Sequence, residues 1–201
     1  MNYKTVEHGS LRLIDPPKID YIDYWSSDNR STMVEQIYNV NRITFYGRTK
    51  CDSIIEHLIG DSLLEIGAAP GELLRYATEM GYYCEGIAPE TSTFIQRHSG
   101  CTIHNCFFED YESQQRFDNV VAMDVFEHIE DGHAFLDKCK AQLNANGQII
   151  FMLPVLDDMS NPDKFKCDEH IWLYTFDHLR AMGFTEFDKW TDGHTIAIYK
   201  D

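Results

Sequence analysis

The chain has 201 residues, a length typical of one α/β domain with a small extension. Hydrophobic residues make up 43% of the chain and aromatic residues 13%, which is enough for one large core. Asp and Glu number 33 against 17 Lys and Arg, so the formal charge is −16 and the surface repels phosphate backbones. We therefore expect no nucleic-acid partner.

The start of the chain and its cysteines indicate a compartment. The N-terminus has no apolar stretch behind a positive charge, and no run reaches the about 18 apolar residues that span a membrane. The six cysteines are scattered, without a Cys-x-x-Cys pair. This pattern predicts a cytoplasmic protein with reduced thiols, and neither a zinc site nor a disulfide framework.

Residues 1–60 are predicted to form an arm and helices that cover the functional site. The stretch from Tyr3 to Asp28 is rich in Tyr, Asp and Pro, which predicts irregular structure. Thr32–Glu35 fits a capping box and predicts the start of a first helix. A second helix carries apolar residues from Ile54 to Ile59, and Gly60 is well placed to end it.

Residues 61–201 alternate between strands and helices, which predicts a mostly parallel sheet covered on both faces. The predicted strands are Leu63–Ile66, Tyr82–Ile87, Cys101–Asn105, Asn119–Met123 and Gln148–Leu153. The predicted helices are Glu72–Met80, Thr93–His98 and His133–Leu143.

The end of the chain breaks this alternation. A helix at Phe176–Met182 is followed by two strand-like runs, Phe184–Trp190 and Thr195–Tyr199, which Asp192-Gly193 joins. Asp-Gly between two strands is typical of a hairpin. The predicted fold class is therefore α/β, a seven-stranded mostly parallel sheet that ends in an antiparallel hairpin, with an N-terminal helical extension.

Two motifs in this pattern resemble a known family. The first is a strand that breaks at Gly67-Ala68-Ala69-Pro70-Gly71 and restarts as a helix, which presents backbone amides and a helix N-terminus to a ligand. The second is Asp124-Val125-Phe126-Glu127-His128 after the fourth strand. They resemble the first and fourth-strand motifs of class I S-adenosylmethionine-dependent methyltransferases, in the branch with an Asp-x-x-Glu-His signature. The resemblance covers roughly residues 50–201.

The resemblance implies a Rossmann-like fold that binds S-adenosylmethionine at the carboxyl ends of the strands. Glu65 would act on the methionine ammonium, directly or through water, and Asp124 or nearby carbonyls would also receive it. A helix cap or an ion pair is the alternative role for both carboxylates. The implied cofactor contacts are Glu65, Gly67, Ala68, Ala69, Gly71, Ala88, Pro89, Phe108, Asp124 and Val125.

The sequence departs from the family pattern at two places. Ala88 stands where members usually have an acid that holds the ribose hydroxyls, and Glu90 is a candidate substitute. Phe107 lies near where an acid often contacts the adenine; Phe107 or Phe108 would instead pack on that ring or belong to the core. These departures predict weakened cofactor binding.

Methyl transfer to a hydroxyl needs a base, and histidine is the natural base near neutral pH. His128 follows Asp124 by four positions and His170 lies in the long connection after the fifth strand, so both are candidate catalytic residues. A hydrogen-bonded structural role is the alternative for His128, and His194 is expected to be remote. Glu127 with His128 offers two metal ligands, but no third is identifiable, so no metal is predicted.

The predicted function is S-adenosylmethionine-dependent methyl transfer to a small-molecule, sugar or lipid-like acceptor, at oxygen. The alternative is a catalytically weak or inactive binding or scaffold protein, which Ala88 and Phe107 suggest. A nicotinamide oxidoreductase ranks last, because it would carry Gly-x-Gly-x-x-Gly after the first strand, where this chain has the turn from Gly67 to Gly71.

Overall fold

A computed structural model describes residues 1–19, 45–89 and 99–201, and only the backbone of residues 45–47. The predicted helices at Thr32–Glu35 and Thr93–His98 lie outside the described residues. The chain divides into two compact units. We call Asp20–Val120 the glycine-turn unit, and Met1–Ile19 with Val121–Asp201 the histidine unit.

The main sheet has seven strands in the order β5-β4-β3-β6-β7-β10-β9. Their bounds are β3 Ser62–Ile66, β4 Tyr83–Ile87, β5 Thr102–His104, β6 Phe117–Met123, β7 Leu143–Pro154, β9 Glu186–Thr191 and β10 His194–Lys200. Strands β3, β4 and β5 pair in parallel, whereas β10 pairs antiparallel with both β7 and β9. The predicted sheet and its closing hairpin are therefore confirmed.

Four helices accompany these strands in the described residues: α1 Phe45–Ile55, α2 Glu72–Glu79, α3 Gly132–Lys140 and α4 Phe176–Ala181. Side-chain caps begin two of them, since Asp131 accepts from the Ala134 amide and Thr175 from the His178 amide. Helix α3 ends before Leu143, which instead begins β7, so the predicted helix His133–Leu143 is too long at its end. None of the described helices is long and apolar enough to cross a membrane.

Residues 3–13 form a hairpin, which corrects the prediction that this stretch is irregular. Its strands are β1 Tyr3–Thr5 and β2 Leu11–Leu13, and β2 pairs antiparallel with β8, Trp172–Leu173. Each strand is only three residues long, too short to show a clear alternation of apolar and polar residues. The strand that pairs with β2 lies about 160 residues away in the chain. Non-local pairing of this kind leaves little local signal. The predicted boundary at residue 60 and the covering role of residues 1–60 stay predictions.

A buried asparagine fixes the start of β3 in the glycine-turn unit. Asn119 is fully buried; its amide nitrogen donates to the carbonyls of Ile59 and Ser62 at 2.6 and 2.9 Å, and its oxygen accepts from the Ile59 amide at 3.0 Å. The strand therefore begins at a point set by side-chain hydrogen bonds, two residues before Leu64 of the buried strand core.

Replacing Asn119 with alanine should destabilise the fold by about 3 kcal/mol, because the buried Ser62 carbonyl and both peptide groups of Ile59 lose this partner. Denaturant unfolding measures this free energy. An unchanged denaturant slope would show that the loss is in the native state. A loss below about 1 kcal/mol would contradict the role assigned to this amide.

Candidate functional site

The glycine turn after β3 adopts a conformation that side chains disfavour. Gly67 and Gly71 have φ angles of 75° and 84°, in the left-handed region. The amides of Gly67 and Ala68 donate to the Ile87 carbonyl at 2.8 and 3.0 Å, which ties the turn to the end of β4. Helix α2 starts directly after Gly71. The predicted strand, turn and helix are all present.

Glu65 is a buried carboxylate two residues before this turn. Glu65 is only 4% exposed. Burial raises its pKa to about 8, although the Lys50 ammonium and a hydrogen bond from the Leu74 amide lower it in part. Its Oε2 atom is buried and has no hydrogen-bond partner within the described ranges. An orphaned carboxylate oxygen fits an ammonium group, which is what the amino-acid end of S-adenosylmethionine offers.

The remaining cofactor candidates of the glycine-turn unit are mostly buried. Ala88 is 1% exposed, and its amide donates to the His104 carbonyl at 3.0 Å. Phe108 is 4% exposed, and its ring centroid lies 6.5 Å from that of Tyr111, which is typical of a core residue. Phe107 is 39% exposed. Glu90 lies outside the described residues. Roles for Ala88, Pro89 and Phe108 at the cofactor stay predictions.

Asp124 follows β6 in the histidine unit and has a φ of 52°, a left-handed conformation that is uncommon outside glycine. Its amide donates to the Met152 carbonyl at 2.9 Å, which ties it to β7. Such strain persists only where the surroundings impose it, and it concentrates at functional sites.

His194 lies beside Asp124, so the prediction that it is remote is wrong. Its Nε2 atom is 3.6 Å from Asp124 Oδ1. The reason is the antiparallel pairing of β10 with β7, which places His194 opposite Pro154 at the end of β7. The predicted hairpin joins the last two strands only, and the pairing of the last strand with β7 was not part of that prediction.

A short turn carries Glu127 and His128. Phe126, which precedes them, is fully buried and packs on Phe151 and Tyr174 at ring-centroid distances of 4.7 and 4.9 Å. The His128 amide donates to the Val125 carbonyl at 3.0 Å. This aromatic anchor holds the two polar side chains in place.

His128 and His170 have the same tautomer for the same reason. The Nδ1 atom of His128 lies 2.5 Å from the Glu169 carbonyl oxygen, and that of His170 lies 2.7 Å from the Phe165 carbonyl oxygen. A carbonyl only accepts, so each Nδ1 carries the hydrogen and each neutral Nε2 keeps a lone pair. The two rings meet edge to face with centroids 5.1 Å apart.

Glu127 lies between these two histidines and is 1% exposed. Its Oε1 atom is 3.8 Å from His128 Nε2 and 4.0 Å from His170 Nε2. Burial lowers the pKa of both histidines, so both are neutral near pH 7 and able to accept a proton. We call Glu127, His128 and His170 the histidine cluster.

The histidine cluster also has the composition of a metal site. Its three ligand atoms lie within 4.8 Å of one another. The sequence identified Glu127 and His128 but no third ligand, because His170 comes from a distant connection. The sequence also did not predict that the Glu127 carboxylate lies between two histidines.

The chain is similar to known proteins. The family described as "Methyltransferase domain" matches residues 38–184. The chain is 28% identical over 141 residues to the ubiquinone biosynthesis O-methyltransferase of Rhodopseudomonas palustris strain TIE-1, and 27% identical over 140 residues to that of Nitrobacter winogradskyi. These matches cover 64% and 63% of this chain and 55% and 53% of the relatives. The chain spans about half the length of the curated relatives it matches.

Solved structures show the same fold. The 1,6-didemethyltoxoflavin-N1-methyltransferase of Burkholderia thailandensis, with S-adenosylhomocysteine bound, superposes with a TM-score of 0.63 at 16% identity and covers 100% of this chain and 99% of its own. A phosphoethanolamine N-methyltransferase of Haemonchus contortus gives 0.63 at 18% identity, over 85% of this chain and 46% of its own.

The fold and the two motifs define a class I S-adenosylmethionine-dependent methyltransferase domain. The chain belongs to the methyltransferase domain family, whose match covers most of its length. The predictions of the family, of the Rossmann-like fold and of S-adenosylmethionine as its cofactor are confirmed. The Asp-x-x-Glu-His branch stays a prediction.

Proposed function

We propose that this protein transfers the methyl group of S-adenosylmethionine to an oxygen atom of a small-molecule acceptor, in the cytoplasm; sugars and lipid-like molecules are included. The observation that carries the proposal is the histidine cluster, in which two neutral imidazoles keep their Nε2 lone pairs. An oxygen acceptor must lose a proton, and a neutral Nε2 atom is able to accept one. The names of the curated relatives, which are O-methyltransferases, support oxygen as the acceptor atom.

The cofactor contacts we propose are those of the sequence motifs. Glu65 receives the ammonium, and the turn residues Gly67, Ala68, Ala69 and Gly71 let the backbone approach the ligand. Ala88, Pro89 and Phe108 are further members of this set, and so are Asp124 and Val125 of the second motif. When bound, the cofactor supplies a methyl group on a sulfonium. The chain itself aligns the two reactants and excludes water.

The proton of the acceptor passes to Nε2 of His128 in this proposal. His170 is the second candidate, because its Nε2 has the same environment. The Glu127 carboxylate lies near both Nε2 atoms and stabilises the imidazolium that forms. The Nδ1 hydrogen bonds hold both rings in the orientation that this transfer needs.

Transfer of a labelled methyl group tests the function. We would incubate the protein with S-adenosylmethionine tritiated in its methyl group and with one probe at a time: a catechol, a phenol, a reducing sugar and an arylamine. Label in an oxygen probe, absent with His128→Ala, would support the proposal. Label only in the arylamine would show that the acceptor atom is nitrogen.

A catalytically weak or inactive binding protein is the second candidate, because no carboxylate stands at Ala88. In that case S-adenosylhomocysteine would bind weakly, and no probe would become labelled. Binding and label transfer together separate the two functions.

A further inference from the structure

The N-terminal hairpin contacts the segment that carries His170. The hydroxyl oxygen of Tyr3 lies 2.7 Å from the His170 carbonyl oxygen and 3.0 Å from that of Cys167. The hairpin, residues 3–13, lies outside the stretch that matches the methyltransferase family, residues 38–184. These contacts are therefore a feature of this chain that the family match does not describe.

The segment under Tyr3, residues 165–170, orients both histidines of the cluster. The Phe165 carbonyl accepts from His170 Nδ1, and the Glu169 carbonyl accepts from His128 Nδ1. The positions of these two carbonyls set the tautomer and the direction of both rings. A movement of this segment would therefore change both imidazoles at once.

A backbone hydrogen bond closes the end of this segment. The His170 amide donates to the Cys167 carbonyl at 3.3 Å, which is long for such a bond. The Tyr3 hydroxyl meets the same turn at a shorter distance. Burial raises the pKa of Tyr3 to about 12, so its hydroxyl stays a donor across the working pH range.

The rest of the hairpin is fixed to the residues that follow His170. The Leu13 amide donates to the Ile171 carbonyl at 2.8 Å, and β2 pairs with β8. At the far end, Ser10 Oγ accepts from the Thr175 amide at 2.9 Å and lies 2.9 Å from His178 Nδ1. Tyr3 therefore lies on a strand whose position is set by these hydrogen bonds, and they also set the position of its hydroxyl.

We propose that Tyr3 is a positioning residue, which holds residues 165–170 so that His128 and His170 keep the ring orientation and the tautomer that the reaction needs. It acts through the two carbonyls of that segment and does not touch the reactants. The catalytic meaning of this role rests on the proposed function, whereas the positioning itself does not.

The test compares Tyr3→Phe with Ser10→Ala. Tyr3→Phe removes only the hydroxyl that meets the segment. Ser10→Ala is the matched control, because it loosens the same hairpin at its other end, away from both histidines. Nitrogen-15 spectra of the imidazoles report the tautomers, at a pH where the rings are neutral, and calorimetry reports the affinity for S-adenosylhomocysteine.

In wild type and in Ser10→Ala, His128 and His170 should show the Nδ1–H tautomer alone. In Tyr3→Phe the Nε2–H tautomer should become visible for His170, with a smaller change for His128. Ligand affinity should be unchanged in both variants. With an oxygen acceptor, turnover of Tyr3→Phe should fall by about 10- to 100-fold, as for a modest misplacement of a reacting group, while KM for S-adenosylmethionine stays the same.

Unchanged imidazole spectra in Tyr3→Phe would overturn the proposal, and so would an equal change in Ser10→Ala, which would make the hairpin merely structural. If Tyr3→Phe fails to fold, the exchange rate of the Tyr3 hydroxyl proton in the wild-type protein tests the contact instead. Slow exchange of that proton with water is expected, and rapid exchange would contradict the contact. A protein that passes the spectral test but methylates no oxygen probe would refute the proposed function and leave the positioning role standing.

Discussion

Replacing His128 with alanine is expected to lower turnover by about 10²–10⁴-fold, the usual effect of losing a general base. The structure gives the reason: His128 Nδ1 is held by the Glu169 carbonyl, so the lone pair that accepts a proton is on Nε2. Affinity for S-adenosylhomocysteine should change little, because the proposed ammonium contact is Glu65. Turnover with saturating substrates and calorimetry measure the two effects separately.

Two variants accompany this measurement. His133→Ala removes an exposed histidine of the same unit and should leave turnover unchanged. If His128 and His170 act as one unit, the double variant should be little worse than His128→Ala, because residues that act together are not additive. If His128→Ala keeps full turnover and His170→Ala loses it, His170 is the general base.

The pH profile and a chelator separate a base from a metal site. The pKa of His128 is lowered by burial, so turnover should fall with decreasing pH only below about 6.5, as the imidazole takes a proton. A chelator such as EDTA should have no effect. Loss of turnover that a divalent cation restores would show that the histidine cluster is a metal site, which its geometry permits.

Affinity for S-adenosylhomocysteine should increase as the pH rises to about 8, which is the second large effect. Burial raises the pKa of Glu65 to about 8, so the ligand-free protein holds a proton there at neutral pH. An ammonium binds the ionised carboxylate, and that proton must leave. The affinity should therefore change by up to about tenfold per pH unit between pH 6 and 8, with a proton released on binding.

Calorimetry in buffers with different ionisation enthalpies counts the released proton. Glu65→Gln should abolish both the pH slope and the proton release, and weaken binding at high pH. Glu72→Gln is the control: its carboxyl also has a pKa raised by burial, and its charge helps to raise the pKa of Glu65, so its removal should keep the slope but move it to lower pH. A slope that survives in Glu65→Gln would assign the titration to another group.

The same pKa has a consequence for folding. A folded-state pKa near 8 against an ordinary value of 4.5 means that the folded protein binds a proton that the unfolded chain has released. Stability in the absence of ligand should therefore decrease as the pH rises from about 4.5 to about 8. Glu65→Gln should flatten this part of the stability profile.

Local sequence signals predicted most of the main sheet. The glycine turn at Gly67–Gly71 and the Asp192-Gly193 hairpin depend on backbone conformations that glycine favours, and such positions are visible in a sequence. Strand bounds differ by one or two residues at most sites, and more at β7, where Leu143 continues the helical spacing of Leu136 and Cys139. Repeated apolar patterns therefore predict that a helix or strand is present better than they predict the residues at which it begins and ends.

Long-range contacts account for what the sequence did not predict. The hairpin with Tyr3 is stabilised by pairing with β8, and His170 meets His128 because the connection after β7 folds back. Neither contact leaves a periodic pattern near its own residues. The placement of His194 has the same cause, because it depends on the pairing of β10 with β7, about 40 residues earlier in the chain.

Titration of S-adenosylhomocysteine into the wild-type protein at about pH 8, where about half of Glu65 is ionised, tests the central claim most directly. The account predicts binding of one ligand per chain, with an affinity that Glu65→Gln weakens and His133→Ala does not. No heat of binding at a ligand concentration of about 1 mM, which corresponds to a binding free energy weaker than about −4 kcal/mol, would contradict it.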